Sequence, residues 1–153
     1  MRMYLTFTKK GLVAVLAALL LGLFISGQLY AADNVKENGK TNKQRVDYIK
    51  SIGLEPKEEC KSSKKIVIPE KFDAVYQNYN ALQQSAGFDL LPYMGSSATV
   101  YTYDVNTPEG YTGDTVVNLI VYKGRIIGGD ISSCALDGFM LNLGEINVKN
   151  KTR

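Results

Sequence analysis

The residues of this chain that could do chemistry gather between positions 121 and 133, in the stretch VYKGRIIGGDISS. Arg125 offers a cation, Asp130 a carboxylate, Ser132 and Ser133 hydroxyls, and Gly128 with Gly129 a backbone that another group can approach closely. They describe a shallow polar surface for a ligand or partner, with Tyr101 and Tyr103 on a neighbouring strand as aromatic contacts. The same residues have an architectural use. Paired glycines inside a strand mark a bulge, or a place where a helix or the C-terminal segment presses in.

Catalytic chemistry finds little to stand on. The sequence has no histidine, so it can form no Ser-His or Cys-His couple and lacks the usual zinc ligand sets. Ser62 and Lys65 match the S-x-x-K spacing of acylating serine enzymes, but they lie in the charged run KSSKK and the companion motifs are missing. Asp104 and Asn106 begin like a calcium loop. Pro108 then replaces the fifth-position ligand, glycine arrives late at Gly110, and Thr115 stands where a bidentate glutamate is needed. A plain turn is expected there, with Asp114 at most a weak ligand. Cys60 and Cys134 read as two separate thiols. An enzyme would have to be built from Asp130, Asp137, Arg125 and a tyrosine. The expectation is no catalytic residue, no cofactor and no metal.

The elements that position these residues follow from periodicity. Thr41 with Gln44 three residues on makes a capping box, Val46, Ile49 and Ile52 share one face, and Gly53 supplies a left-handed stop, so the spacing predicts a short helix over 42–52. Glu55 to Lys65 reads as a charged, mobile connector and Ile66 to Ile68 as a short strand. Pro69 then opens a helix of about 16 residues, with Phe72, Val75, Tyr76, Tyr79, Leu82 and Ala86 as its apolar stripe and Gly87 as its end. Beyond it the period changes to two. ATVYTYDV, TVVNLIVY and RIIGGDIS read as an antiparallel meander. If Lys123 and Gly124 are the turn, Val121 lies opposite Ile126, Leu119 opposite Gly128 and Asn118 opposite Gly129. The fold class is α+β: an N-terminal transmembrane or signal helix, a short helix, then a long amphipathic helix packed on a three- to four-stranded antiparallel sheet. Its open edges are expected at the 99–106 or the 125–132 strand.

Charge and hydropathy divide the chain. Residues 1–10 carry Arg2, Lys9 and Lys10 and no acid, and Gly11 to Ala32 carries no charge, with Leu12 to Ile25 almost continuously apolar. Such a run is a signal-anchor or a signal peptide. Leu29 and Tyr30 fit a cleavage site poorly, which favours an uncleaved anchor embedded through residues 11–30, with secretion after cleavage as the alternative. Positive residues stay cytoplasmic, so the remainder is expected outside the membrane. There, 33–40 is a polar spacer, 41–147 the extracytoplasmic domain and 148–153 a basic tail. The segment from Ile66 to Asn147 is net acidic, a poor match to phosphate backbones, and nucleic acid is not an expected partner.

TNKQRVDYIKSIGLEP, IPEKFDAVYQNYNALQQSAGFDLLPYMG, YTYDV, VNLIVYKGRIIGGDISS and ALDGFM resemble, in that order, the bacterial family of membrane-anchored Firmicutes proteins catalogued as domain of unknown function 4830. The resemblance spans residues 41–141 and implies location and fold, the family's activity being unassigned. The family places a cysteine where this chain has Ser132 and a histidine where it has Leu141. A site built on that pair would be absent here. The expected function is therefore a non-catalytic protein-binding, regulatory or structural module of the envelope, with another envelope protein or a peptide as partner. The alternatives are a small-ligand, glycan or peptide-binding domain, or a cell-envelope hydrolase.

Overall fold

A computed structural model describes residues 38–133, 135 and 138–145 of the chain. The expected membrane segment, most of the spacer, Cys134, Asp137 and the basic tail lie outside the described residues. Among the described residues no helix is long and apolar enough to cross a membrane.

Helix α1 spans Asn42–Ser51 and starts as its capping box dictates. Thr41 Oγ1 accepts from the Gln44 N–H at 3.2 Å, while Gln44 Oε1 accepts from the Thr41 N–H at 2.9 Å. Gly53 follows at φ 86, the left-handed stop. Val46, Ile49 and Ile52 are buried together, as their spacing requires.

The charged connector proves shorter than expected, because β1 occupies Ser62–Val67 and pairs along its length with β2, Ser97–Val105. Strand β1 escapes detection by alternation because it lies at the sheet's edge with nearly every side chain in water. Ser62 and Lys65, an odd step apart on a strand, point to opposite faces, which disposes of the S-x-x-K reading.

Helix α2 spans Ala74–Ser85. Its start lies five residues beyond Pro69, where Asp73 Oδ1 accepts from the Tyr76 N–H at 2.8 Å. Its buried face is also turned from the expected stripe. Asn80 and Gln83 are sealed, whereas Val75 is 77% exposed. Two backbone amides explain the rotation. Asn80 Oδ1 accepts from the Leu90 N–H at 2.8 Å, and Gln83 Oε1 accepts from the Gly129 N–H at 2.7 Å, so polar side chains take the inner positions in order to satisfy main-chain donors.

The sheet is a five-stranded antiparallel meander in the order β1-β2-β3-β4-β5, with β3 at Thr115–Tyr122, β4 at Arg125–Ser133 and β5 at Met140–Asn142. The 99–106 and 125–132 strands are therefore interior, and β1 and β5 are the edges. Lys123 at φ 48 and Gly124 at φ 82 form the two-residue turn between β3 and β4. Val121 pairs with Ile126, but a bulge then shifts the register, so that Ile120 meets Gly128, Leu119 meets Gly129 and Asn118 meets Asp130. The one-residue slip corrects the expected pairing and changes which side chains are neighbours.

Both faces are covered, in place of the single helix-covered face expected. One face packs Tyr103, Val117, Leu119 and Ile131 against Val46 and Ile49 of α1. The other packs Ala98, Ile120 and Ile127 against Ile68, Phe72 and Leu90, with Tyr76 and Tyr79 of α2 alongside.

Candidate functional site: a tyrosine-walled groove over a buried polar ladder

The register shift assembles a polar ladder on the face under α2. Thr102 Oγ1 donates to Asn118 Oδ1 at 2.8 Å, Asn118 Nδ2 donates to Asp130 Oδ1 at 2.9 Å, and the Tyr79 hydroxyl donates to Asp130 Oδ2 at 3.0 Å. Ser132 Oγ accepts a longer bond from Asn118 Nδ2 at 3.4 Å. Asp130 is only 5% exposed. A carboxylate at that depth is costly unless it is hydrogen-bonded, and here both oxygens have donors. Burial, reinforced by the neighbouring Asp130 charge and hydrogen bond, pushes the Tyr79 hydroxyl far above its ordinary range. Tyr79 thus stays a proton donor at any physiological pH and is held in one orientation.

Above the ladder lies a groove of about 460 Å³ lined by Val75, Tyr76, Asn78, Tyr79 and Leu82 of α2 and by Met140 of β5. The rotation of α2 that buries Asn80 and Gln83 is what leaves Val75 exposed, with Met140 53% exposed across from it. The Tyr76 and Tyr79 rings meet edge to face at 5.9 Å. An apolar channel with a fixed tyrosine wall suits apolar side chains of a partner. Among the described residues the ladder holds one carboxylate and no cation. Asp137, the second acid that a hydrolase here would need, lies outside the described residues.

The residues expected to share one surface are split by the sheet. Gly128, Asp130 and Ser132 face the groove side, where an added Cβ at Gly128 would lie 2.7 Å from Gln83 Oε1. Gly128 thus admits the helix, whereas Gly129 faces the other side, where an added Cβ would meet the Asn118 carbonyl and Leu143 of the C-terminal segment. Tyr101 and Tyr103 lie on the opposite face. Tyr103 is fully buried and donates from its hydroxyl to Asn42 Oδ1 at 2.8 Å, and the Tyr101 ring lies 3.7 Å below the Arg45 guanidinium carbon. Arg125 is exposed beside the β3–β4 turn. Asn118, Thr102 and Met140 were not foreseen as part of a site. The lone asparagine in TVVNLIVY was the available signal, obscured by the one-residue register difference.

A second cleft, about 580 Å³, includes Asp104, Lys57, Lys61 and Asp114. Lys61 at 2.7 Å and Lys57 at 3.2 Å bond the Asp104 carboxylate and hold its pKa below the usual range. Its charge is thus answered within the chain, and no cluster able to hold a metal ion occurs among the described residues. Cys60 carries a free thiol, 3.0 Å from the Ser62 carbonyl.

The Tyr79–Asp130 bond has a pH signature. Tyr79 keeps its proton in the folded state when the unfolded chain has lost it, so its contribution is complete below about pH 10 and declines above that by about 1.4 kcal/mol per pH unit. Tyr79→Phe should cost about 1–2 kcal/mol at neutral pH, by removing a donor from a buried carboxylate, and should flatten the alkaline fall by one proton. Urea unfolding from neutral to alkaline pH measures both, and an unchanged alkaline slope would refute the assignment.

A family model described as "Domain of unknown function (DUF4830)" matches residues 48–131, more than half of the chain. The match includes Tyr79, Asn118 and Asp130 but stops short of Met140. No curated protein matches the chain. No solved structure matches it either.

Proposed function

The chain belongs to the DUF4830 family, and we propose that it is a non-catalytic binding module of the cell envelope that holds an apolar segment of a partner protein in the groove between α2 and β5. The observation that carries this reading is the pairing of an exposed apolar rim, Val75 and Met140, with a tyrosine whose hydroxyl is locked by a buried carboxylate. Exposed apolar side chains that converge on one channel lose water when a partner covers them, and a wall fixed beforehand loses little freedom on binding. The location forms part of the proposal. The uncharged run after Arg2, Lys9 and Lys10 supports a single-pass anchor with the domain outside the cell, and a Firmicutes membrane is what the family resemblance implies.

Substituting both Val75→Glu and Met140→Glu places charge in the groove at positions already in water. Stability should change by no more than about 0.5 kcal/mol per site. In intact cells treated with a crosslinker, the wild-type chain should give a discrete heavier species that this double variant loses and Lys43→Glu, at an exposed position of α1, retains. An identical pattern from all three proteins would contradict the groove as the binding surface.

A further inference from the structure

The two edges of the sheet are unequal. Strand β5 has three residues, whereas β1 has six, Ser62 to Val67, all of them exposed except the half-buried Ile66. The Ile68 N–H bonds the Ser96 carbonyl at 3.0 Å and continues the β1–β2 register. Hydrogen-bonding direction alternates along a strand, so Ser62, Lys64 and Ile66 bond toward β2, and the N–H and C=O groups of Ser63, Lys65 and Val67 point outward. No strand pairs with that outer side among the described residues. It is a template about 20 Å long, free of proline and ending before Pro69.

The side chains say what the template fits. Lys64 and Lys65 stand at its centre, and neither has a carboxylate partner among the described residues. A second copy would set these lysines against each other in either symmetric pairing, and directly opposed like charges destabilise a strand pair. An acidic strand would instead place carboxylates beside them, while Val67, 66% exposed, offers an apolar neighbour.

We propose that β1 accepts an extended acidic segment of a partner as a sixth strand, joined through the outward amides of Ser63, Lys65 and Val67. This surface is distinct from the groove and does not depend on it.

The test uses the full-length chain in mild detergent and a fluorescent six-residue peptide of alternating glutamate and valine, followed by anisotropy at low ionic strength. Wild type should bind it, with affinity falling as salt is added. Affinity should fall at least about tenfold, or about 1.4 kcal/mol, when alternate peptide amides are N-methylated. The same loss is expected for Lys65→Pro, whose thermal midpoint should hold because that amide makes no bond to β2. The N-methylated peptide is read on wild-type protein, so the outcome stands even if the proline variant misfolds. Equal binding by the N-methylated peptide, or no binding of the parent peptide, would overturn strand addition. Loss of binding in the Val75→Glu, Met140→Glu chain would transfer the peptide to the groove and overturn it equally.

Discussion

Gly129→Ala is expected to destabilise the domain by about 3 kcal/mol or more, the largest effect of any single methyl group added to this sheet. The cost is steric. A Cβ at this position would collide with the Asn118 carbonyl oxygen and stand 3.0 Å from Leu143 Cδ1. The first of these atoms is backbone, and it can retreat only by opening the β3–β4 pairing where Leu119 meets Gly129 and Asn118 meets Asp130. The Gly129 N–H is also the donor to Gln83 Oε1, so displacement of β4 would uncouple α2 as well. Gly128→Ala is the informative control. Its Cβ would press on the end of the Gln83 side chain, which can shift by a rotamer change, and a smaller loss of about 1–2 kcal/mol is expected. Urea midpoints of the two variants test the order. A Gly129→Ala loss below that of Gly128→Ala would mean that the bulge is soft and that the glycines do not set the approach of α2.

Arg45 should give the second large effect. Its side chain is 6% exposed, with Nε donating to the Tyr103 hydroxyl at 2.7 Å, one terminal nitrogen donating to the Gly39 carbonyl at 2.8 Å, and the Tyr101 ring beneath it. No carboxylate pairs with it among the described residues, so the charge is stabilised by neutral oxygens and an aromatic face alone. Removing the guanidinium leaves a buried carbonyl and a buried hydroxyl short of a donor. Arg45→Met, which keeps the aliphatic stem, is expected to cost about 2–4 kcal/mol. Arg45→Lys should recover only part of this, since an ammonium cannot reproduce the planar fork or stack as well on Tyr101. The effect should also be local. The Gly39 N–H bonds the Gly124 carbonyl at 2.9 Å, and Arg45 holds the same residue by its own carbonyl. The amide of Gly39 should therefore exchange faster in Arg45→Met than the global loss of stability requires. Exchange that rises uniformly across the sheet would assign Arg45 a general packing role instead.

Much of this architecture could be read from local chemistry. The capping box at Thr41, the two-residue turn at Lys123 and Gly124, and the period-two runs of β2, β3 and β4 each follow from a few adjacent residues. What escaped was decided by distant partners. Strand β1 exists because β2 offers it hydrogen bonds, and its own side chains give no alternating pattern. Helix α2 turns Asn80 and Gln83 inward because Leu90 and Gly129 each have an N–H to satisfy, and hydropathy alone would choose Val75 and Leu82. The candidate site depends on both departures. Asp130 stood out in the sequence, yet its partners Asn118 and Tyr79 emerge only with the bulge that shifts the register and with the true face of α2.

With the proposed anchor in place, the most direct measurement of groove occupancy is amide hydrogen exchange of the chain in isolated native membranes, compared with the same chain purified in detergent. With a partner seated between α2 and β5, the amides of Ala74–Ser85 and Met140–Asn142 should exchange more slowly in the membranes, while those of α1 at Asn42–Ser51 stay the same. Equal exchange across α2 and β5 in the two preparations would contradict the account.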